Sequence, residues 1–322
     1  MLVRVCVLLS AYIIDRLVGD PRWLTHPVVY MGRVITWLER QLRRRVVREE
    51  QLKHVGILFP LILVGGSFVL TWWLLVLLSW IHPWLSWVVE AWLISTTIAT
   101  KGLAEAGIGI YGLLKEGKLE EARQALAMVV GRDTDRLDEG EVSRGAVETV
   151  AENIVDAILS PLFYAAIGGA PLAMAYRAAN TLDSMVGYKN DAYRNLGWAS
   201  ARFDDLVNYV PARLAALLLI CVSWLLRLNW RNCAAIIIRD ARRHPSPNSG
   251  FTEAGVAGAL GIQLGGTNYY QGIPSHRAKM GDRYRSIEAQ DIKQTVRIMH
   301  WVSFFFLLAC LLGIMIVTLL YL

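Results

Sequence analysis

The sequence predicts an all-α fold, a polytopic integral membrane helix bundle of about four to six membrane segments with broken or re-entrant helices. Three observations carry that prediction. Hydrophobic residues make up 55% of the 322 positions and charged residues only 19%. The mean hydropathy is +0.38, too apolar for an ordinary soluble enzyme. Between Val55 and Thr100 only His82 and Glu90 are ionisable, and residues 299–322, "MHWVSFFFLLACLLGIMIVTLLYL", form a second long apolar run.

Taken in order, "MLVRVCVLLSAYII" reads as a retained helix, because "DRLVGDP" follows it where a signal peptide has a small-residue cleavage site. The arginine-rich "RRRVVREEQLK" is cytoplasmic by the positive-inside rule. Residues 55–100 are long enough for two spans of about 20 residues each, turned at "IHPW". Trp72, Trp73, Trp80, Trp84, Trp87 and Trp92 crowd that turn as an interfacial belt does. Segment 101–150 then reads as cytoplasmic and helical, with the amphipathic "EGKLEEARQALAMVV" inside it. Two further apolar segments are flawed: 154–179 is broken by "GGAP", and 206–228 opens with Asn208, Pro211 and Arg213. Irregular backbone at membrane depth is tolerated only against protein or a wet cavity, so these two segments mark a site. Residues 229–298 read as cytoplasmic, and the whole chain, 1–322, reads as one membrane-embedded catalytic domain. The sidedness of 180–205 stays open at this point.

The net charge of +6 does not point to nucleic acid, because the arginines lie beside apolar runs and serve headgroup contact. Membrane lipid is the partner this composition implies, and a homo-oligomer is compatible with it. Cys6, Cys221, Cys233 and Cys310 are scattered, without the pairing of a disulfide framework or a zinc site.

In "RGAVETVAENIVDAILSP", Glu148, Glu152 and Asp156 recur every fourth residue and form one acidic stripe beside Asn153, with Val147, Val150, Ile154 and Ile158 facing away. Arg144 neutralises one carboxylate. The others need a cation, and Mg²⁺ with its preference for oxygen is the natural one. Asn180 and Asp183 share a helical face in the next stretch, and Asp204 or Asp205 repeats the device with Asn208. Carboxylates and amides converging from several helices suit a metal bridging phosphate oxygens. Lys189, Arg194, Arg202 and Arg213 would hold phosphate or carboxylate directly. "RHPSPNSGFTEAGVAGALGIQLGG" has two readings, a backbone cradle for phosphate or a helix packed closely through Gly255, Gly258 and Gly261. It lacks a Walker pattern, and the chain has no GxGxxG.

With these residues laid out, the chain resembles the CobD/CbiB family of cobalamin biosynthesis, the adenosylcobinamide-phosphate synthases. The resemblance runs nearly end to end through "DRLVGDPRWLTHPVVYMGR", "GRDT", "VETVAENIVDAILSPLFY", "NTLDSMVGYKN", "ARFDDLVNYVPAR" and "SPNSGFTEAG", in that order. It implies a multi-pass protein of the bacterial plasma membrane that joins adenosylcobyric acid, through a corrin propionate carboxyl, to (R)-1-amino-2-propanol or its phosphate ester. ATP and Mg²⁺ are implied with it. On that basis Glu148, Glu152, Asp156, Asp183, Asp204 and Asp205 are expected in metal binding or general-base work. Asp205, Glu152 and Asp183 lead as catalytic groups, and Asn153, Asn180 and Asn208 serve as neutral ligands. Lys189, Arg202 and Arg213 are expected on phosphate or carboxylate, and Asp133 of "GRDT" and His26 join them as candidates. Two other classes are weighed beside it. An intramembrane prenyltransferase would use Asp-rich motifs on a Mg²⁺-diphosphate, but the full NDxxDxxxD spacing is missing. A transporter would use the broken helix at "GGAP", but no internal repeat is seen.

Overall fold

Of the two ionisable residues of the long apolar stretch, His82 caps a helix start and Glu90 reaches a break in another helix, each giving an acceptor to an unpaired backbone amide. A computed structural model describes residues 2–21, 25–46, 49–188 and 190–320, with the side chains of residues 49 and 50 left aside. In chain order the helices are α1 (Leu2–Leu17), α2 (Pro27–Arg45), α3 (Glu49–Val55), α4 (Leu58–Ile81) and α5 (Pro83–Ser95). They continue as α6 (Thr100–Lys115), α7 (Leu119–Ala127) and α8 (Glu139–Ile154), then a π-helical turn Val155–Leu159 and α9 (Ser160–Val186). After α10 (Trp198–Val207), α11 (Tyr209–Leu225), α12 (Trp230–Asp240) and α13 (Ser249–Leu260) comes a hairpin of β1 (Leu264–Tyr270) and β2 (Ile273–Met280), and α14 (Ala289–Leu320) follows it. The fold is thus the all-α membrane bundle expected, with one small antiparallel sheet added.

Three helical stretches among the described residues are long and apolar enough to cross a membrane: Gln51–Ile81, Glu139–Val186 and Ala289–Leu320. Trp198–Val207 and Tyr209–Leu225 make a fourth when the pair is counted as one broken span. The expected second leg of the 55–100 hairpin is corrected here. Pro83 starts α5 with His82 as its N-cap, the imidazole accepting from the Trp84 amide at 3.3 Å. That helix has only 13 residues, about 20 Å, short of the roughly 30 Å hydrocarbon core. The side chains of Trp72, Trp73, Trp80, Trp84 and Trp87 are exposed on these two helices, as an interfacial belt requires.

The chain forms two compact units. One comprises Met1–Ala99, Ser160–Asn208 and Leu307–Leu322, the other Thr100–Leu159 and Tyr209–Phe306. The first is built on helical spacing. Met31, Ile35, Leu38 and Leu42 of α2, Phe59 and Leu63 of α4, and Met174, Ala178, Leu182 and Val186 of α9 form one buried cluster. Leu182 is fully buried there, and its truncation to alanine costs about 2–5 kcal/mol. Within α9 the backbone breaks at Gly168 and Gly169, whose φ of 64° and ψ of −157° only glycine adopts readily. Glu90 closes the break, its carboxylate accepting from the Ala170 amide at 3.3 Å.

In the second unit, α13 is buried and its small residues bring backbones together. A Cβ on Gly258 would meet the Asn232 carbonyl oxygen at 2.7 Å and the Cys233 Cα at 2.8 Å. Gly261 ends the helix in the left-handed conformation, φ 67°. Of the two readings of this glycine-rich stretch, close helix packing is therefore the one the structure adopts. The hairpin after it was not legible. Gln271 and Gly272 form its two-residue turn with φ of 52° and 78°, the positive values of the hairpin turn that fits strand twist.

Candidate functional site

In the first unit an acid and amide cluster gathers where α10 ends. Asn208 is the C-cap of α10, and a residue there has its side chain free to point inward. Its carbonyl oxygen accepts from the Ser160 hydroxyl at 2.6 Å and from the Tyr176 hydroxyl at 2.9 Å. Its amide nitrogen donates to Asp204 Oδ2 at 3.0 Å. This is the i, i+4 pair expected from "DDLVN", realised with Asp204. Tyr164 stacks on Tyr176 at 5.3 Å between ring centroids and donates to the Val207 carbonyl, which fixes the wall of the cluster. Asp204 is buried and bonded by the side chains of Asn208 and Asn180, and its second oxygen, Oδ1, lacks a well-aligned hydrogen bond. Asp183 and Asp205 lie within electrostatic reach of it, with Asn180 alongside. Buried acids gathered this closely repel one another, so the arrangement favours a cation. Arg202 does not supply one: it is 68% exposed and 3.7 Å from Asp205. Lys189 lies outside the described residues.

In the second unit, several of the expected site residues are spent on holding the β-hairpin. Arg132 donates to Glu148 Oε2 at 2.8 Å and to the Asn268 side chain, while Arg144 donates to Glu148 Oε1 at 2.9 Å. The amide of Gly265 adds a third donor to Glu148 at 2.8 Å. Both carboxylate oxygens of Glu148 are thereby engaged, and the metal stripe expected over 148–156 starts instead from a buried ion pair that pins β1 to α8. The π-helical turn then interrupts the every-fourth-residue register, and half-buried Asp156 sits in it. Asp133 accepts from the amides of Gln271 at 3.0 Å and Gly272 at 2.7 Å, so the aspartate of "GRDT" caps the hairpin turn. Arg213 lies 3.5 Å from the Tyr209 ring centroid and 4.6 Å from that of Phe251, and donates to Asn248 Oδ1 at 2.7 Å. It clamps the "SPNSG" loop. In the first unit His26 is likewise a brace, its Nδ1 accepting from the Val28 amide and its Nε2 2.9 Å from the Thr96 carbonyl oxygen.

Beside Glu148 the second unit holds a polar cavity of about 150 Å³, lined among others by Arg132, Glu152, Asn153, Tyr270 and Arg277. Its volume suits a phosphate-sized group and falls below the range of drug-sized ligands. Asn153 donates to the Thr149 carbonyl at 2.9 Å and so faces the cavity from a fixed rotamer. Glu152 is also one of three residues, with His244 and Glu253, whose ligand atoms lie within 4.8 Å of one another. Burial pushes the Glu253 carboxyl up to about 7, against the pull of His244 and with the charges of Glu152 and Glu148 adding to it. Burial disfavours the charged form of His244, but the Glu253 and Glu152 carboxylates outweigh it and raise the imidazole above its ordinary value. Burial also works against the Arg277 charge, yet the carboxylate of Glu152 leads the acidic and phenolic groups that hold its value up.

The family model for the CobD/CbiB protein matches residues 8–299. The chain belongs to the CobD/CbiB family. It is 46% identical over 290 residues to the cobalamin biosynthesis protein CobD of Photorhabdus laumondii, covering 90% of this chain and 91% of that one. The CobD of Halalkalibacterium halodurans is 48% identical over 299 residues, 92% of each chain. The cobalamin biosynthesis protein CbiB of Salmonella typhimurium is 46% identical over 303 residues, 94% of this chain and 95% of that one. No solved structure matches the chain.

For this member of the CobD/CbiB family, the structure divides the expected residues by unit. Asn180, Asp183, Asp204, Asp205 and Asn208 come together in the first, and Glu148 and Glu152 border one cavity in the second. His244, Glu253, Arg277 and Asn268 were missed. A glutamate inside the otherwise small and apolar "FTEAGVAGALG" was the available signal for Glu253, since a buried carboxylate needs a partner.

Proposed function

We propose that this chain acts in cobalamin biosynthesis as the amide ligase that joins a corrin propionate carboxyl of adenosylcobyric acid to (R)-1-amino-2-propanol or its O-phosphate, in the bacterial plasma membrane. Family membership supports the pathway. The buried Asp204, with Asp183 and Asp205 facing it, carries the site reading. A free carboxylate is a poor acyl donor, so ATP serves as the co-substrate: the carboxylate oxygen bonds to the γ-phosphorus and ADP leaves. The amine then bonds to the acyl carbon, phosphate leaves, and the amine gives up a proton.

Mg²⁺ suits the site through Asp183 and Asp204, which offer hard carboxylate oxygens, while Asn180, whose oxygen accepts from Arg177, positions Asp204. When bound there, the ion would supply positive charge to the phosphoryl oxygens. Asn208 holds Asp204 by Oδ2. Asp205, half-buried at the same helix end, would take the amine proton. By itself, the phosphate-sized cavity of the second unit, with Arg132 and Arg277 in its wall, suits an oxyanion.

The test is detergent-purified protein with adenosylcobyric acid, aminopropanol phosphate and Mg²⁺-ATP, assayed for cobinamide-type product and for ADP. Product in proportion to ADP supports the reading, and no product from folded protein refutes it. Asp205→Asn is expected to abolish turnover with expression intact, and near-normal turnover removes Asp205 from the role of base.

A further inference from the structure

Glu253 is 1% exposed and His244 5% exposed in their side chains, and His244 Nε2 stands 3.2 Å from Glu253 Oε1. The two atoms form a buried ion pair, and neither has a hydrogen-bond partner apart from the other. A buried pair of this kind recovers little of its desolvation cost, and a bound cation would add to what holds it. Glu152 brings a third donor atom to within 4.8 Å of both. On its far side, His244 Nδ1 accepts from the Ser246 amide at 3.0 Å, and the Ser246 carbonyl oxygen lies 3.2 Å from it. The other tautomer gives an Nδ1 proton to that carbonyl, and a metal ion then takes the Nε2 lone pair in place of the Nε2 proton that faces Glu253. This is the arrangement by which a backbone acceptor orients a metal-bound histidine.

We propose that Glu152, His244 and Glu253 bind one divalent first-row transition metal ion, with a coordination position open toward the adjoining cavity. Donor atoms around an ion at about 2.1 Å stand some 3–4 Å apart, so side-chain movements of about an ångström complete the site. The donor set selects the ion. Mg²⁺ takes oxygen in near-ideal octahedra, whereas an imidazole with two carboxylates suits Mn²⁺, Zn²⁺ or Co²⁺. Three protein ligands leave a position free, and Glu152 lines the cavity that Arg277 also lines, so an oxyanion there meets metal and guanidinium at once. The site does not rest on the ligase reading: it stands on burial, distance and donor chemistry in the second unit alone.

The experiment is full-length protein in detergent, stripped with a chelator and titrated with Mn²⁺ alone, followed by metal analysis and pulsed electron paramagnetic resonance. One tightly bound Mn²⁺ with imidazole nitrogen coupling is expected. His244→Ala and Glu253→Gln should each weaken binding about 100-fold, because losing a group that touches the ion costs at least as much as losing one that only orients it. The wild-type nitrogen coupling decides the matter even where a variant fails to fold. No stoichiometric Mn²⁺ or Zn²⁺, or bound Mn²⁺ without nitrogen coupling, overturns the proposal and leaves a buried His–Glu pair.

Discussion

Replacing Asn208 by alanine tests the cluster at the end of α10 most directly. The asparagine is 1% exposed and makes three side-chain hydrogen bonds, to Ser160, Tyr176 and Asp204. A bond to a carboxylate is worth about 1.5–3 kcal/mol and each hydroxyl bond about 1 kcal/mol, so the sum is about 3–5 kcal/mol. At about 2 °C per kcal/mol for a chain of this size, the thermal midpoint should fall by roughly 6–10 °C. Intrinsic tryptophan fluorescence in detergent reads it, since the chain has 12 tryptophans. Asn208→Asp keeps the acceptor for both hydroxyls but sets a second carboxylate against Asp204, so it separates the donor's part from the acceptor's. A midpoint for Asn208→Ala within about 1 °C of wild type would show that the network carries no weight and would refute the positioning of Asp204.

Gly169→Ala should cost at least about 2 kcal/mol by the same melt, because the conformation is nearly glycine-only and the new Cβ would stand 2.1 Å from Glu90 Oε1. An unshifted midpoint would mean that the break is not needed. Asp133→Ala removes the two amide acceptors at the hairpin turn, about 1–2 kcal/mol, and should speed hydrogen exchange across 264–280; unchanged exchange contradicts the capping role. Hydrogen bonds from Arg239 hold the Asp240 carboxyl below its ordinary value despite burial, with the Gly281 amide adding to them. Its folded value therefore lies under the unfolded one, so the stabilisation is present above about pH 3.8 and is lost as pH falls through the folded value. Asp240→Asn should flatten the melting profile in that acid range, and an unchanged slope counts against it.

What could be read in the sequence was what repeats at helical spacing. The Asp204–Asn208 pair follows from side chains four residues apart sharing a face. Backbone partners leave no such trace. Nothing in the spacing of "GRDT" shows that Asp133 meets two amides 138 and 139 residues further on, nor that Arg213 is occupied by Asn248. The acidic stripe was legible as far as Glu152 and then lost its register, because the π-helical turn adds a residue that no periodic pattern announces. His244 and Glu253 sit nine residues apart across a loop, outside any single period, and only the fold brings them together.

The interleaving of the two units bears on how such a protein is made. Chain order runs first unit, second, first, second, first, so the ribosome crosses from one to the other four times before residue 322. The nascent amino-terminal half holds α2 and α4 well before Met174–Val186 arrives to complete their shared core. No single cut yields either unit intact, and a gene split at residue 159 should give two fragments that recover a folded protein only when synthesised together.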